Sequence, residues 1–521
     1  MTHALSRTQE TRKHVVETEG GVVASQHRLA AEAGADVLRA GGDAVDAAVA
    51  TSFVLGVLEP WMSGPAGGGA ALHWRADTGE ATAVNFGMRS PAALDPADYP
   101  LVGEGVAGDL FPWERVRDDR NVQGATAVAV PGTVDGVGLA HARWGRMPWA
   151  ELVAPAVAHA RRGMLVDWYA ALLIASTTRE LAKDPDAAAL FLLDGQWPPV
   201  SGWTALAETR LDQGRMADTL DTVARDGARA FHDGDVGRAL AEDVRAKGGS
   251  LAASDLAGYR SWTGPARPVP YRDALFHVAP GLTAGPTFAA AFGRLEGADL
   301  SDPPRAFAAY ARALREAQGE RLAAMGDDGE VSEAPTCTTH FSVVDRAGNM
   351  VAHTQTLLSI FGSRVVSPST GLLLNNGIMW FDPVAGRPNS LAPGKACLMN
   401  VCPVLGRQGD RRWALGASGG RKILHAVAQL ASFLADGGMT LEQAFHHPRI
   451  DASGDRIIAD ETLPEAVLDV LRGVAPVTTT PRTVMPYAFA CPAGVIRDGA
   501  LNAGCTEIMS PWGDAAPEDR P

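Results

Sequence analysis

Three places in the chain bring together residue types that can break a covalent bond. The first is Thr338-Thr339-His340. A threonine hydroxyl is a weak nucleophile until a base takes its proton. Were the chain cut before Thr338, the new α-amino group would be that base, since it titrates near ~8 and reaches the hydroxyl through the residue's own geometry. On pattern alone Thr-Thr-His reads more simply as the start of a β-strand, where threonine is favoured. The second place is Gly416-Ala417-Ser418-Gly419-Gly420, which fits G-x-S-x-G ahead of a helical pattern, as in a nucleophile elbow. The histidines after Ser418 (His425, His446 and His447) crowd close behind it, whereas an elbow enzyme needs an acid and then a distant histidine. The pattern favours a glycine turn whose N–H groups form an oxyanion site at a helix N-terminus. The third is His446-His447, which runs into Pro448 with no H-E-x-x-H beside it, so it reads as a loop and no metal is expected.

The elements that must position these residues are legible in outline. Leu29, Ala33, Val37 and Leu38 recur at helical spacing, and Gly41-Gly42 end that helix. Asp43 can cap the next one, Ala44 to about Leu58, which is apolar nearly all round and should be buried against a sheet. A loop, Ser63 to Gly69, follows, with glycines that allow close backbone approach. Residues 101–125 look irregular and exposed; after Pro131-Gly132 come Ala-rich helical patterns, and residues 180–325 read as mostly helical. Asp327 to Pro335 reads as an exposed polar linker. From Thr338 the texture turns to strands, with a hairpin around Arg346-Ala-Gly-Asn349. Trp413 to Leu415 is a further strand, and Ile423 to about Ala435 a helix. Helices alternating with hairpins predict helices flanking stacked sheets.

Composition bounds the function. Of 521 residues, 46% are hydrophobic and 20% charged, enough for a large core. The formal net charge of -14, with no Lys/Arg-rich run, argues against nucleic acid or an anionic membrane as partner. Met1 to Glu19 lacks the apolar stretch of a secretory signal, and no run of about 18 apolar residues occurs elsewhere, so a cytoplasmic protein is expected. Five cysteines (Cys337, Cys397, Cys402, Cys491 and Cys505) without a CxxC pair read as buried small apolar residues in a reducing compartment.

Read together, the pieces resemble the γ-glutamyltranspeptidases over about residues 20 to 515. The resemblance rests on Gly21 to His27, Gly41 to Ala48, Glu59-Pro60 with Gly67-Gly68-Gly69, Ala129 to Thr133, Thr338 to Asp345, Gly371 to Asn376, and Gly416 to Gly420, in the family's order. It implies an α+β fold, the four-layer αββα sandwich of N-terminal-nucleophile (Ntn) hydrolases, made as one proenzyme that cleaves itself between Cys337 and Thr338. Residues 1–20 would be a flexible extension, 21–337 the large subunit and 338–521 the small catalytic subunit. The resemblance assigns Thr338 as nucleophile, its freed amine as base, Thr356 as its hydrogen-bonding activator, and Gly419 and Gly420 as oxyanion-hole donors. It implies no cofactor, a small-molecule amide or acyl substrate, and a heterodimer, two copies of which can pair.

The family's grip on glutamate is not kept. Phe86-Gly87-Met88-Arg89-Ser90-Pro91 places Gly87 where the family has a carboxylate-binding Arg, and Arg89, two residues on, would point elsewhere. The family's Ser-Ser pair corresponds to Met399-Asn400, and its amine-binding positions to Leu358, Gly377 and Trp380. A buried carboxylate without partners costs several kcal/mol, so a larger or less polar acyl group is expected. This resembles the family's acylase-like branch. A γ-glutamyl transferase with a rearranged pocket, a C–C bond hydrolase of an antibiotic pathway, and an unprocessed binding protein are the competing readings.

Overall fold

Ala44 to Leu58 carries almost no polar side chain, and every one of its fifteen residues is buried. Asp43 begins it with a capping box, its carboxylate accepting from Val45 and Asp46 N–H while Asp46 reaches back to the Asp43 N–H. Such a helix is stable only between layers. In the computed structural model, which describes residues 8, 11–106, 113–200, 208–326 and 337–519, it forms part of an outer helical layer over one of two stacked sheets.

The strands of the two sheets are β1 (Val16–Thr18), β2 (Val22–Ser25), β3 (Gly68–Trp74), β4 (Ala81–Phe86), β5 (Trp262–Pro265), β6 (Arg267–Tyr271), β7 (Ala274–Val278), β8 (Cys337–Val344), β9 (Met350–Leu358), β10 (Val404–Gln408), β11 (Arg411–Ser418), β12 (Cys491–Asp498), β13 (Leu501–Thr506) and β14 (Asp514–Pro517). One seven-stranded sheet has the order β1-β13-β12-β11-β10-β7-β6, the other β14-β2-β8-β9-β3-β4-β5. All their pairings are antiparallel. The hairpin β8-β9 thus sits at the centre of the second sheet, with the turn at Gly348 (φ 89°).

Helices α1 (Arg28–Arg39), α2 (Ala44–Leu58) and α3 (Thr133–Trp144) contribute to the core over the second sheet, with Phe341, Val343 and Val351 facing them. Helices α4 (Gly285–Leu295), α5 (Pro303–Ala324) and α6 (Lys422–Ala435) cover the other sheet, packing on Phe276, Val404, Trp413 and Leu415. Between the sheets lies a third apolar cluster that includes Leu72, Ala352, Ala414 and Val495. This is the expected four-layer αββα arrangement.

Four readings need correction. Leu29 is 39% exposed, because the buried stripe of α1 is centred on Ala30, Gly34 and Val37 and leaves Leu29 on its flank. Residues 180–325 hold strands β5, β6 and β7 as well as helices. Pro265, Pro268 and Pro270 obscured two of them, and β5 and β6 are edge strands, where a missing N–H costs the ladder little. Residues 101–125 carry a two-stranded ribbon, Leu101–Val106 with Glu114–Val116, though its surface is largely exposed as expected. Val16–Thr18, read as part of a flexible extension, pairs with Asn502–Gly504 and closes the sheet edge. The Asp327–Pro335 linker lies outside the described residues, as does the side chain of Cys337.

Candidate active site

The polar residues gather at one end of the β8-β9 hairpin. Cys337 pairs with Leu358 and Thr339 with Gln355, so the single residue Thr338 faces two, Thr356 and Leu357. That is a β-bulge, a device that re-aims side chains at the end of a ladder. Thr338 is fully buried, and among the described residues its Oγ1 has no hydrogen-bond partner. Thr356 Oγ1 accepts from Leu358 N–H at 2.7 Å, and Leu358 holds a left-handed φ of 89° that a branched side chain rarely adopts. The turn is held from outside by Leu357 N–H donating to Met62 O at 3.0 Å and by Gly67, whose added Cβ would lie 2.3 Å from Thr356 O.

Strand alternation divides the neighbours between two faces. Toward the other sheet, His340 Nδ1 bonds Thr354 Oγ1 at 2.8 Å and Nε2 bonds Ser342 Oγ at 2.9 Å. Burial holds this imidazole well below its usual range, hence neutral. Its ring lies against Gly416, where a Cβ would come within 2.3 Å, so β11 needs glycine there. Toward the helices, Thr339 Oγ1 donates to Glu59 Oε2 at 3.1 Å, and Gln355 bonds Ser52 and Ser63. Burial pushes the Glu59 carboxyl up to about 7. Glu59 was legible only as part of a family motif, and its tie to Thr339 joins residues far apart in sequence.

Gly419 and Gly420 leave β11 with φ of 129° and 65°, and a Cβ on Gly419 would meet Ala490 Cα at 2.8 Å. The start of β11 pairs Arg412 with Arg497, whose guanidinium donates to Arg346 O at the far turn of the hairpin. The two sheets therefore run these strands in opposite directions, and the Ser418–Gly420 end of β11 lies toward the Thr338 end of β8. Among the described residues neither glycine N–H donates to a carbonyl. Ser418 is buried with Oγ against Cys491 O at 3.5 Å and bonds no histidine, which leaves it outside a nucleophile elbow. His446 and His447 bond the carbonyls of Glu442 and Pro448.

Three of the positions aligned with glutamate recognition fall into the apolar cluster between the sheets. Leu358, Trp380 and Met399 are fully buried there with Met88. Met399 fills the space over Gly87, where a Cβ would stand 2.7 Å from its Cε and 3.1 Å from its Sδ. Gly377 is crowded in the same way by Ala129 Cβ at 2.7 Å and Met88 Sδ at 3.0 Å. Asn400 turns to the buried Arg321, which donates to Asn400 Oδ1 at 2.7 Å and Met399 O at 3.0 Å. Arg89 is exposed and lines the same cleft as Gly87, about 300 Å³ in volume, with Asn85, Tyr259, Arg260 and Trp262. Asn375, two residues before Gly377, donates to Ala66 O and Ala129 O and accepts from Gly377 N–H.

Comparison with known proteins agrees with this construction. The gamma-glutamyltranspeptidase family profile matches residues 30–336 and 329–482. The acylase ACY 1 proenzyme of Pseudomonas sp. (strain V22) is 33% identical over 490 residues, spanning 87% of this chain and 86% of that one. The glutathione hydrolase proenzyme of Bacillus subtilis (strain 168) is 28% identical over 520 residues, 89% of this chain and 86% of that one. The fold superposes on a cephalosporin acylase from Bacillus halodurans with a TM-score of 0.85 at 24% identity, over 99% of both chains. With its sheets, bulge and glycine turn in place, and a relative one-third identical along most of its length, the chain belongs to the γ-glutamyltranspeptidase family of Ntn hydrolases, as an acylase-like member.

Proposed function

We propose that the protein is a self-processing amidohydrolase or acylase in which Thr338 is the nucleophile. The observation that carries this reading is the bulge, which faces a buried, unpartnered Thr338 hydroxyl with Thr356. In the proenzyme that hydroxyl attacks the Cys337 carbonyl, the amide nitrogen leaves as the Thr338 α-amine, and water hydrolyses the resulting ester. Two segments result, 1–337 and 338–521, held as one folded heterodimer. That relatives are made as proenzymes supports this step.

In the mature enzyme the freed amine takes the Thr338 hydroxyl proton as Oγ1 attacks the substrate carbonyl. Gly419 and Gly420 N–H groups stabilise the oxyanion, a donor of this kind being worth about 3–4 kcal/mol of barrier. The amine passes its proton to the leaving nitrogen, and water then resolves the acyl-enzyme. The acyl group is not γ-glutamyl, because Gly87 supplies no guanidinium and the buried Leu358, Trp380 and Met399 offer a zwitterion few partners. Cys402, Cys491 and Cys505, buried thiols outside any disulfide among the described residues, support a reducing, cytoplasmic setting.

The test is a denaturing gel of the purified protein with N-terminal sequencing of each band. Two bands, the smaller beginning at Thr338 and missing in Thr338→Ala, are expected. A single full-length band under all conditions would end the claim. Turnover of a γ-glutamyl anilide at transferase-like rates would replace the acylase reading by a transferase one.

A further inference from the structure

Glu59 is an expensive residue for its place. It is the C-cap of α2, where the helix dipole already disfavours an anion, and it is 5% exposed. Its carboxyl accepts a hydrogen bond from Thr339 Oγ1, at 3.1 Å. Among the described residues it interacts electrostatically with Tyr169, from the helix Trp168–Leu181, and with Cys491 on β12, neither of them cationic. A glutamine would accept the same hydrogen bond without the cost of desolvating a charge. The carboxyl is thus more than a tether for Thr339 requires, and it lies one residue from the nucleophile.

We propose that Glu59 is a positioning residue for Thr338, holding Thr339 in place and setting one carboxylate charge beside the amine that processing frees. This rests on the Thr338 reading above. Adjacent Cα atoms are ~3.8 Å apart, so a carboxylate on the Thr339 hydroxyl stands within roughly 10 Å of the Thr338 amine. At that range, in a partly buried site, an anion raises the amine's pKa by on the order of one unit. The Glu59 carboxyl, pushed up to about 7 by burial, titrates in the same interval, so the two behave as a coupled pair. Ionised Glu59 favours the ammonium form, which cannot act as base; protonated Glu59 releases the amine.

The experiment is the pH dependence of kcat/KM for processed wild type, Glu59→Gln and Glu59→Ala, with an anilide substrate the wild type turns over. Glutamine keeps the acceptor and removes the charge, so its acid limb should move down by on the order of half to one pH unit, with kcat within several-fold of wild type. Alanine should show the same displacement and a further loss in kcat, because Thr339 is released. An unchanged acid limb in Glu59→Gln would overturn the proposal and leave Glu59 a structural acceptor. Should that variant not accumulate in processed form, 13C-threonine-labelled wild type supplies the same test: Thr338 should titrate in two steps near neutrality, and a single step overturns the proposal. Processing by Thr338→Ala would instead sink the nucleophile reading, whatever Glu59 does.

Discussion

Two regions a few residues apart on β9 follow opposite rules. At Thr356 the surroundings are small and polar: Thr338, Thr339, His340 and Thr354, with glycines wherever a Cβ would strike a neighbour. At Leu358 and beyond they are apolar: Met88, Trp380 and Met399, packed without exposure. In the proposed function the first region aims one hydroxyl and a pair of N–H groups, tasks that depend on the backbone and tolerate little change. In the same proposal the second receives the acyl group, a task that side chains perform and that new side chains can redirect. On that reading reaction type and substrate choice are physically separable in this molecule, so one can match the γ-glutamyltranspeptidases while the other departs.

The largest effect should come from removing the nucleophile: Thr338→Ala stays a single chain and loses activity by on the order of a thousandfold or more, read on a gel and by initial rates. Gly419→Ala keeps every side chain yet forces a Cβ onto a φ of 129° against Ala490, so kcat should fall about 100- to 1,000-fold with processing slowed. If kcat holds, the oxyanion donors lie elsewhere. The apolar region is probed by restoring what the family has. Gly87→Arg alone should cost about 1–3 kcal/mol by overpacking on Met399, and adding Met399→Ser should recover much of it, seen in thermal midpoints. No recovery would mean that the two sites do not share a volume.

A smaller test concerns the core behind both regions. Burial lowers His73 to about 4 and His353 to about 3, against about 6.5 unfolded. Both are held neutral when folded, so the unfolded chain binds more protons as pH falls below 6.5, and the stability they allow is lost in that direction. Between pH 7.5 and 6 the urea midpoint should drop, by roughly 1 kcal/mol or less per histidine. Glu59 opposes them: its folded value of about 7 lies above its unfolded one, so its cost to stability grows as pH rises from about 4.5 to 7. Glu59→Gln should therefore steepen the acid loss.

Much of this was legible in residue order. The capping box at Asp43, the buried α2, the hairpin about Gly348 and the strand leading to Gly419 follow from local preference and periodicity, which neighbours in sequence decide. The edge strands β5 and β6 were not, since their prolines contradict strand propensity and only their place at a sheet margin excuses them. Ser418 fits a motif whose meaning depends on a histidine, and in space it meets a main-chain carbonyl instead.

The sequence by itself determined that Thr338 heads a strand, that the glycines of residues 416–420 can take backbone shapes other residues cannot, and that Gly87 and Met399 depart from glutamate recognition. Tertiary structure alone decided the bulge that opposes Thr338 with Thr356, the meeting of Met399 with Gly87, and the tie from Glu59 to Thr339. Each joins positions that no local rule relates. Propensity acts over a few residues, whereas the volume a side chain fills and the charge it faces are set by whatever the fold brings against it.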